Sequence, residues 1–252
     1  MHHEIATPAI VLRTRPYGES DRIVTLLTEQ HGKLTGIAKG AKNSRQRFGG
    51  TLEPFLRIRA VFRQRTTSEL VFLMRCEFVS SWRAFGRDLD RFAAGNAVLE
   101  LTDRMVHGRE PGREVFRLAE EALDLLDGGA ECDPVLRAFE LHLLAVTGYA
   151  PALERCRECD RPADAPTLYL AAERGGFLCR SCVRPYERVR PVASSTVREI
   201  ARLAAGPLAA AAAGASAATL AEAAVIAELL IGNVSAGPLR ARTFAEAVRR
   251  RI

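Results

Sequence analysis

Phe55-Leu56-Arg57-Ile58-Arg59-Ala60-Val61-Phe62-Arg63 decides how the first third of this 252-residue chain folds. Leu56, Ile58, Ala60 and Phe62 fall on one side of an extended backbone and Arg57, Arg59, Val61 and Arg63 on the other, the two-residue period of a half-buried strand. Upstream, residues 9–13, 23–28 and 34–38 read as further strands, separated by the turn-like Pro16-Tyr17-Gly18-Glu19-Ser20 and by a His31-Gly32 break. Downstream, residues 70–78 supply a fifth. Five short strands in succession suit a small closed barrel, and the five-stranded OB-fold is a barrel commonly used to bind nucleic acid.

From Trp82 the period becomes helical. Phe85, Leu89, Phe92, Leu99 and Val106 make one stripe, and Phe116, Ala119, Leu123 and Leu126 a second. Asp133-Pro134 reads as a cap and first-turn pair, Leu136, Phe139, Leu143 and Val146 as a third buried stripe, and Gly148 as its end. Residues 151–191 carry cysteines and little periodicity; 196–205, 219–232 and 243–251 read as three more helices. The expected architecture is α+β: an OB-fold barrel over 1–80, then an α-helical bundle over 81–252 with a four-cysteine, zinc-ribbon-like insertion at 151–191.

With 48% apolar residues the chain can bury a core of its own. The start, MHHEIATP, lacks the basic and apolar runs of a secretion signal, so a cytoplasmic location is expected. Residues 208–231 are long enough to span a bilayer. They are alanine-rich, however, and carry Glu222 and Glu228, each of which would cost roughly 2.5–3.5 kcal/mol at a bilayer centre, so no membrane span is expected.

The net charge of +6 is confined to one region: residues 1–80 hold thirteen lysines and arginines against seven acids, and the remainder is balanced. An excess restricted to one segment points to a polyanion. Lys33, Lys39, Lys42, Arg45 and Arg47 lie in a run without acids between Glu29 and Glu53, and residues 39–47 look like a mobile polar loop able to follow a phosphate backbone. Arg57, Arg59 and Arg63 share one strand face and repel one another unless something negative covers them. With Arg13 and Arg15 at the end of the first strand and just beyond it, these ten cations form the expected DNA-binding set. Tyr17, Phe48 and Phe55 are candidates for base stacking, although core or loop anchoring explains each one singly.

Cys156-Arg157-Glu158-Cys159 and Cys179-Arg180-Ser181-Cys182 are two C-x-x-C pairs separated by 19 residues, a zinc-ribbon spacing. Four thiolates close a tetrahedral shell, so one structural Zn2+ held by Cys156, Cys159, Cys179 and Cys182 is expected rather than a catalytic ion. Two disulfides are the alternative, disfavoured in a reducing compartment. Cys76 and Cys132 stand alone. No phosphate-binding GxxxxGK[ST] run occurs, and the five histidines show no nucleophile or metal spacing, so no enzyme is expected. A zinc-dependent nuclease, a redox protein using the cysteine pairs, and an RNA- or transcription-complex-binding protein are the rival readings.

The motifs together resemble the bacterial recombination mediator family RecO. AIVLRTR at 9–15, Tyr17-Gly18-Glu19-Ser20-Asp21, Gly32-Lys33-Leu34, Ala38-Lys39-Gly40-Ala41 and Leu52-Glu53-Pro54-Phe55 carry the likeness in the first third. It continues through Gly148-Tyr149-Ala150-Pro151, Gly175-Gly176-Phe177-Leu178-Cys179 and the closing Leu239-Arg240-Ala241-Arg242-Thr243-Phe244, so it covers nearly the whole chain. Asp160 stands where the family commonly has Gly. The resemblance implies binding of single- and double-stranded DNA, annealing of complementary strands, and action with RecR to load RecA on DNA coated by single-stranded DNA-binding protein (SSB). It also implies that the helical part engages the acidic C-terminal tail of SSB, with Arg104, Arg109 and Arg113 as candidate contacts.

Overall fold

The computed structural model describes residues 4–64, 70–108, 112–211, 215–235, 237 and 240. Strands β1 (Glu4–Tyr17), β2 (Asp21–Thr28), β3 (Gly32–Ala38), β4 (Leu56–Arg63) and β5 (Val71–Ser81) close into a barrel in the order β1-β2-β3-β5-β4. All neighbours are antiparallel except β3 and β5, which meet in parallel at only Gly36↔Val71 and Ile37↔Phe72. Alternation along β4 does what it predicted: Ile58, Ala60 and Phe62 join Val11, Val24, Leu26, Leu34 and Leu73 inside. Phe55 does not belong to the strand; its φ of 63° turns the chain before β4 begins.

Between β3 and β4 the chain forms the single-turn helix α1 (Arg45–Phe48), which drives Phe48 into the barrel core beside Leu52. Residues 23–28 of β2 are buried on both faces, because the barrel fills one and helix α3 (Gly112–Asp127) lies across the other. Helix α2 (Leu89–Met105) starts at Asp88, whose carboxylate accepts from the amides of Asp90 (2.9 Å) and Arg91 (3.1 Å), satisfying two of the unpaired amides of a helix start. The expected stripe through Leu89 needs correcting: Leu89 is exposed, Phe85 sits in a separate short turn, and α2 instead buries Ala93, Ala94, Ala97, Val98, Leu99, Leu101 and Met105. Small residues on several faces suit a helix packed against both β1 and α3. Gly95 lets Phe55 and Phe85 press onto α2, since a Cβ there would come within 2.8 and 2.9 Å of their rings.

The barrel ends at Ser81, where the period changes, while the compact units part after Gly129: the barrel, α2 and α3 make one unit, rejoined at Arg240, and residues 130–239 make another. The reason lies in cross-links invisible in sequence. Trp82 Nε1 donates to Asp124 (2.6 Å), the Ala84 amide to Asp127 (2.7 Å) and the Arg91 guanidinium to the Leu126 carbonyl (2.6 Å).

The second unit contains α4 (Cys132–Val146), a three-stranded sheet β7-β6-β8, α5 (Ser194–Ala205), α6 (Leu208–Ala211) and α7 (Ala217–Val234). The strands are β6 (Thr167–Ala171), β7 (Gly176–Leu178) and β8 (Arg190–Ala193), all at or within the edges of the stretch that showed no periodicity, because each is too short to display one. Helix α4 starts two residues earlier than the Asp133-Pro134 pair suggests, with Glu131 at the cap. By length and hydropathy α7 could cross a membrane; here Ala223, Ile226, Ala227, Leu230 and Ile231 are buried, and Glu222 forms a two-point pair with Arg190 of β8 at 2.8 and 2.9 Å. The helix expected over 243–251 lies outside the described residues.

Candidate nucleic-acid surface and metal centre

The segment expected to be a mobile loop is an ordered cap on one end of the barrel. The Gly40 amide donates to the Asp21 carboxylate (2.8 Å) and the Lys42 amide to the Ser20 carbonyl (3.0 Å), while Asn43 and Ser44 amides both donate to the Gly40 carbonyl (3.1 and 3.0 Å). Buried Phe48 anchors its far end. The sequence signal for order was this one aromatic in a polar run.

The cap holds its cations in a particular way. The Lys42 ammonium donates to the carbonyls of Gly18 (3.2 Å) and Glu19 (2.8 Å), and the Arg47 guanidinium to the Lys39 carbonyl (2.9 Å) and Ser44 Oγ (3.1 Å). Carbonyls orient a cation without neutralising it. Lys39 lies over the Phe72 ring at 5.7 Å and Arg47 over the Phe48 ring at 5.1 Å. Of the cap cations, Lys42, Arg45 and Arg47 reach solvent along with Lys39, whose ammonium is held above its ring at the rim. Arg15 and Tyr17 lie at the end of β1 that leads into the turn on which Lys42 rests. The side chains of Arg15 and Arg45 make no ion pair or hydrogen bond among the described residues.

The other five candidates sit elsewhere and, with one exception, meet acids. Arg57 pairs with Glu120 (2.9 Å) and Asp124 (3.3 Å) of α3 and covers the Trp82 ring at 5.1 Å. Burial, outweighing Arg57, lifts Glu120 above the usual carboxylate range. Lys33 reaches the Asp103 carboxylate at 3.5 Å and also donates to the Asp103 carbonyl; Arg13 reaches the same carboxylate at 3.3 Å. Arg63 pairs with Glu4 at 2.8 Å. Arg59 is exposed and faces Glu77 in the β4–β5 register, without an ion pair among the described residues. The negative cover that the arginine-rich strand face required is thus supplied in large part by the protein itself. Of the three arginines expected to meet the SSB tail, Arg104 pairs with Glu100 at 2.7 Å, Arg113 is exposed, and Arg109 lies outside the described residues.

The four paired cysteines come together, their sulfurs all within 4.8 Å of one another. The first pair sits on a knuckle closed by the Asp160 amide donating to the Cys156 carbonyl (2.9 Å), and Asp160 adopts φ 56°. Aspartate tolerates that left-handed backbone better than most residues, so the position commonly filled by Gly is satisfied, and its carboxylate also takes Arg155 at 2.8 Å. The second pair sits on the short turn Arg180–Cys182, brought round by the β6–β7 connection, where Gly175 has φ 69°.

The donor set fits a metal. Tetrahedral thiolates about 2.3 Å from an ion lie roughly 3.8 Å apart, and the Cys159 and Cys179 sulfurs are 3.8 Å apart. The Cys179 amide donates to the Cys156 sulfur at 3.3 Å. Burial pushes the Cys156 thiol up, but amides of Cys159, Cys179 and Glu158 more than offset it and leave its pKa lowered. Ser181, which carries no signal in the sequence although it lies inside the second pair, is 3.2 Å from the Cys179 sulfur and is the main reason that thiol falls to about 6; Cys182, bonded to Cys179 and Cys159 as their proton donor, rises to about 12. All six cysteines are free thiols. Cys76 is buried in the barrel, and desolvation raises it to about 12, the state of an inert core thiol.

Comparison with known proteins divides the chain where the barrel ends, not where the compact units part. The family description "Recombination protein O N terminal" matches residues 1–82, and "Recombination protein O C terminal" matches residues 86–243. The chain is 41% identical over 203 residues to the DNA repair protein RecO of Anaeromyxobacter sp. (strain K), covering 81% of this chain and 80% of that protein. It is 36% identical over 247 residues to the DNA repair protein RecO of Geobacter sulfurreducens, covering 96% of this chain and 97% of the relative. The Myxococcus xanthus protein of the same name is 41% identical over 188 residues, covering 73% and 76%.

Proposed function

This chain belongs to the recombination protein O family of DNA repair proteins, and on that premise we propose that its barrel cap is the DNA-binding surface of a non-enzymatic recombination mediator. The observation that carries this reading is the cap itself, which presents Lys39, Lys42, Arg45 and Arg47 on an ordered turn and steadies two of them with carbonyls rather than carboxylates. Arg15 and Tyr17 extend the surface toward β1. Arg59 stands on a separate strand face, and Arg13, Lys33, Arg57 and Arg63 serve first as ties within the unit. The mediator would bind single- and double-stranded DNA, anneal complementary strands, and act with RecR to load RecA on SSB-coated DNA in the cytoplasm, with the acidic SSB tail as a further partner.

One zinc ion, held by Cys156, Cys159, Cys179 and Cys182, would cross-link the two knuckles and supply no chemistry, because four sulfurs fill its shell. The chain's own residues do the binding: cap cations displace counterions from phosphates, so affinity falls steeply with salt and little with sequence.

The test is a salt titration of the Lys39→Ala/Lys42→Ala/Arg45→Ala/Arg47→Ala variant on labelled DNA between about 50 and 200 mM salt. The slope of log affinity against log salt should flatten by roughly 0.7–0.9 for each phosphate that the variant no longer neutralises. An unchanged slope would overturn the cap as the binding surface.

A further inference from the structure

The segment that follows the second cysteine pair runs Arg184-Pro185-Tyr186-Glu187-Arg188, and Tyr186 is the most exposed large hydrophobic residue among the described residues, fully open to solvent at 105% relative exposure. Its backbone is unusual as well. Tyr186 has φ 64°, in the left-handed region that a bulky residue avoids. The Glu187 amide donates to the Arg184 carbonyl at 3.2 Å, so Pro185 and Tyr186 occupy the two central positions of a type II turn, whose second central position ordinarily takes Gly or Asn.

The turn is also held from outside. The Glu187 carboxylate accepts from the Arg184 amide (2.9 Å) and pairs with Arg174 (3.3 Å); Arg174 in turn pairs with Glu158 inside the first cysteine pair (3.3 Å). A strained turn with no task would relax to glycine, and a free-swinging one would need no such bracing. Here the strain and the bracing together keep an aromatic ring clear of the surface, which hydrophobic burial alone would oppose. Arg184 and Arg188 stand two residues to either side; Arg184 also reaches the Glu158 carboxylate at 3.5 Å, with its side chain still largely open to solvent, whereas the Arg188 side chain makes no ion pair or hydrogen bond among the described residues.

We infer that Tyr186 is a base-stacking post for single-stranded nucleic acid, with Arg184 and Arg188 taking the phosphates on either side. Every base offers a π-face, so one ring between two cations binds single strands without reading sequence, and it cannot reach the stacked bases of a duplex. Tyrosine beside arginine also suits a protein anchor; the DNA-binding reading above favours a strand, and the abasic and duplex arms of the experiment below separate the two.

This inference rests on the DNA-binding reading above but concerns a different unit of the chain, and its failure is separable. Full-length wild type, Tyr186→Gly and Tyr186→Phe are titrated with a labelled oligothymidine, a matched abasic strand and a duplex of the same length, with zinc content measured on each. Glycine suits the turn, so Tyr186→Gly should fold and keep its metal. It should lose roughly 5- to 150-fold in affinity for oligothymidine, the range of one lost stack, with an unchanged salt slope and unchanged duplex affinity. Tyr186→Phe should bind as wild type, and the abasic strand should bind wild type and Tyr186→Gly alike. Equal oligothymidine affinity of wild type and Tyr186→Gly would overturn the inference while leaving the cap reading intact, and would leave the ring as an anchor for a protein. Failure of wild type to bind DNA at all would remove both.

Discussion

Gly95 shows how a single side chain, or its lack, sets the join between barrel and helices. A glycine inside a helix costs about 1 kcal/mol against alanine, so replacing it would ordinarily stabilise α2. At this position the added methyl would meet Phe55 and Phe85, which stack on each other at 4.5 Å. Overpacking of that kind costs about 1–3 kcal/mol, so Gly95→Ala should lower the midpoint of thermal unfolding, and a raised midpoint would show that the rings shift freely. At the same scale lies the limit of what sequence can tell. The four-cysteine cluster was legible because C-x-x-C spacing encodes its geometry directly. The fate of Arg57 was not, because Glu120 and Asp124 are brought beside it only by folding, from more than sixty residues away. Alternation placed Arg57 on the outer face; it could not reveal that α3 lies on that face.

At the scale of elements, α1 is four residues long and its hold on the barrel is one ring. Phe48→Ala should destabilise the first unit by about 3–5 kcal/mol, the cost of an emptied aromatic site, and should loosen the cap above it, which hydrogen exchange at the Asn43 and Ser44 amides would report. The second unit has its own tie in the pair between β8 and α7. The hydrogen bonds from Arg190 hold the Glu222 carboxyl below its usual range. A depressed folded pKa gives stability that is complete above the unfolded value and is lost as pH falls through the folded one. Glu222→Gln should therefore be less stable than wild type at neutral pH by about 1 kcal/mol, discounted because Arg190 is 44% exposed, and the difference should vanish in acid. A gap that persists at low pH would assign the effect to packing. Strands β1 to β5 were read from alternation and turns, whereas β6 to β8 were missed, because three to five residues between cysteines, glycines and prolines contain too little pattern to count.

For the whole chain, the second unit has a support that the first lacks: a four-cysteine cluster added to an apolar core that includes Phe139 and Phe177. With the proposed zinc bound, chelation should strip exchange protection from the Tyr169–Leu178 and Leu170–Phe177 pairings while leaving Leu26 and Ile58 of the barrel protected; loss of both together would show that the units unfold as one. The chain path adds a constraint of a different kind. The Arg240 amide donates to the Glu100 carboxylate at 3.0 Å, so the chain returns to the first unit after leaving it at Gly129. On a ribosome adding about 5–20 residues each second, the barrel and its helices would wait on the order of 5–20 s for that final hydrogen bond while the entire second unit emerged and folded. The nascent protein would acquire its thiol knuckles before its first unit was finished, and a stall within 130–239 would leave a barrel unit without its returning segment.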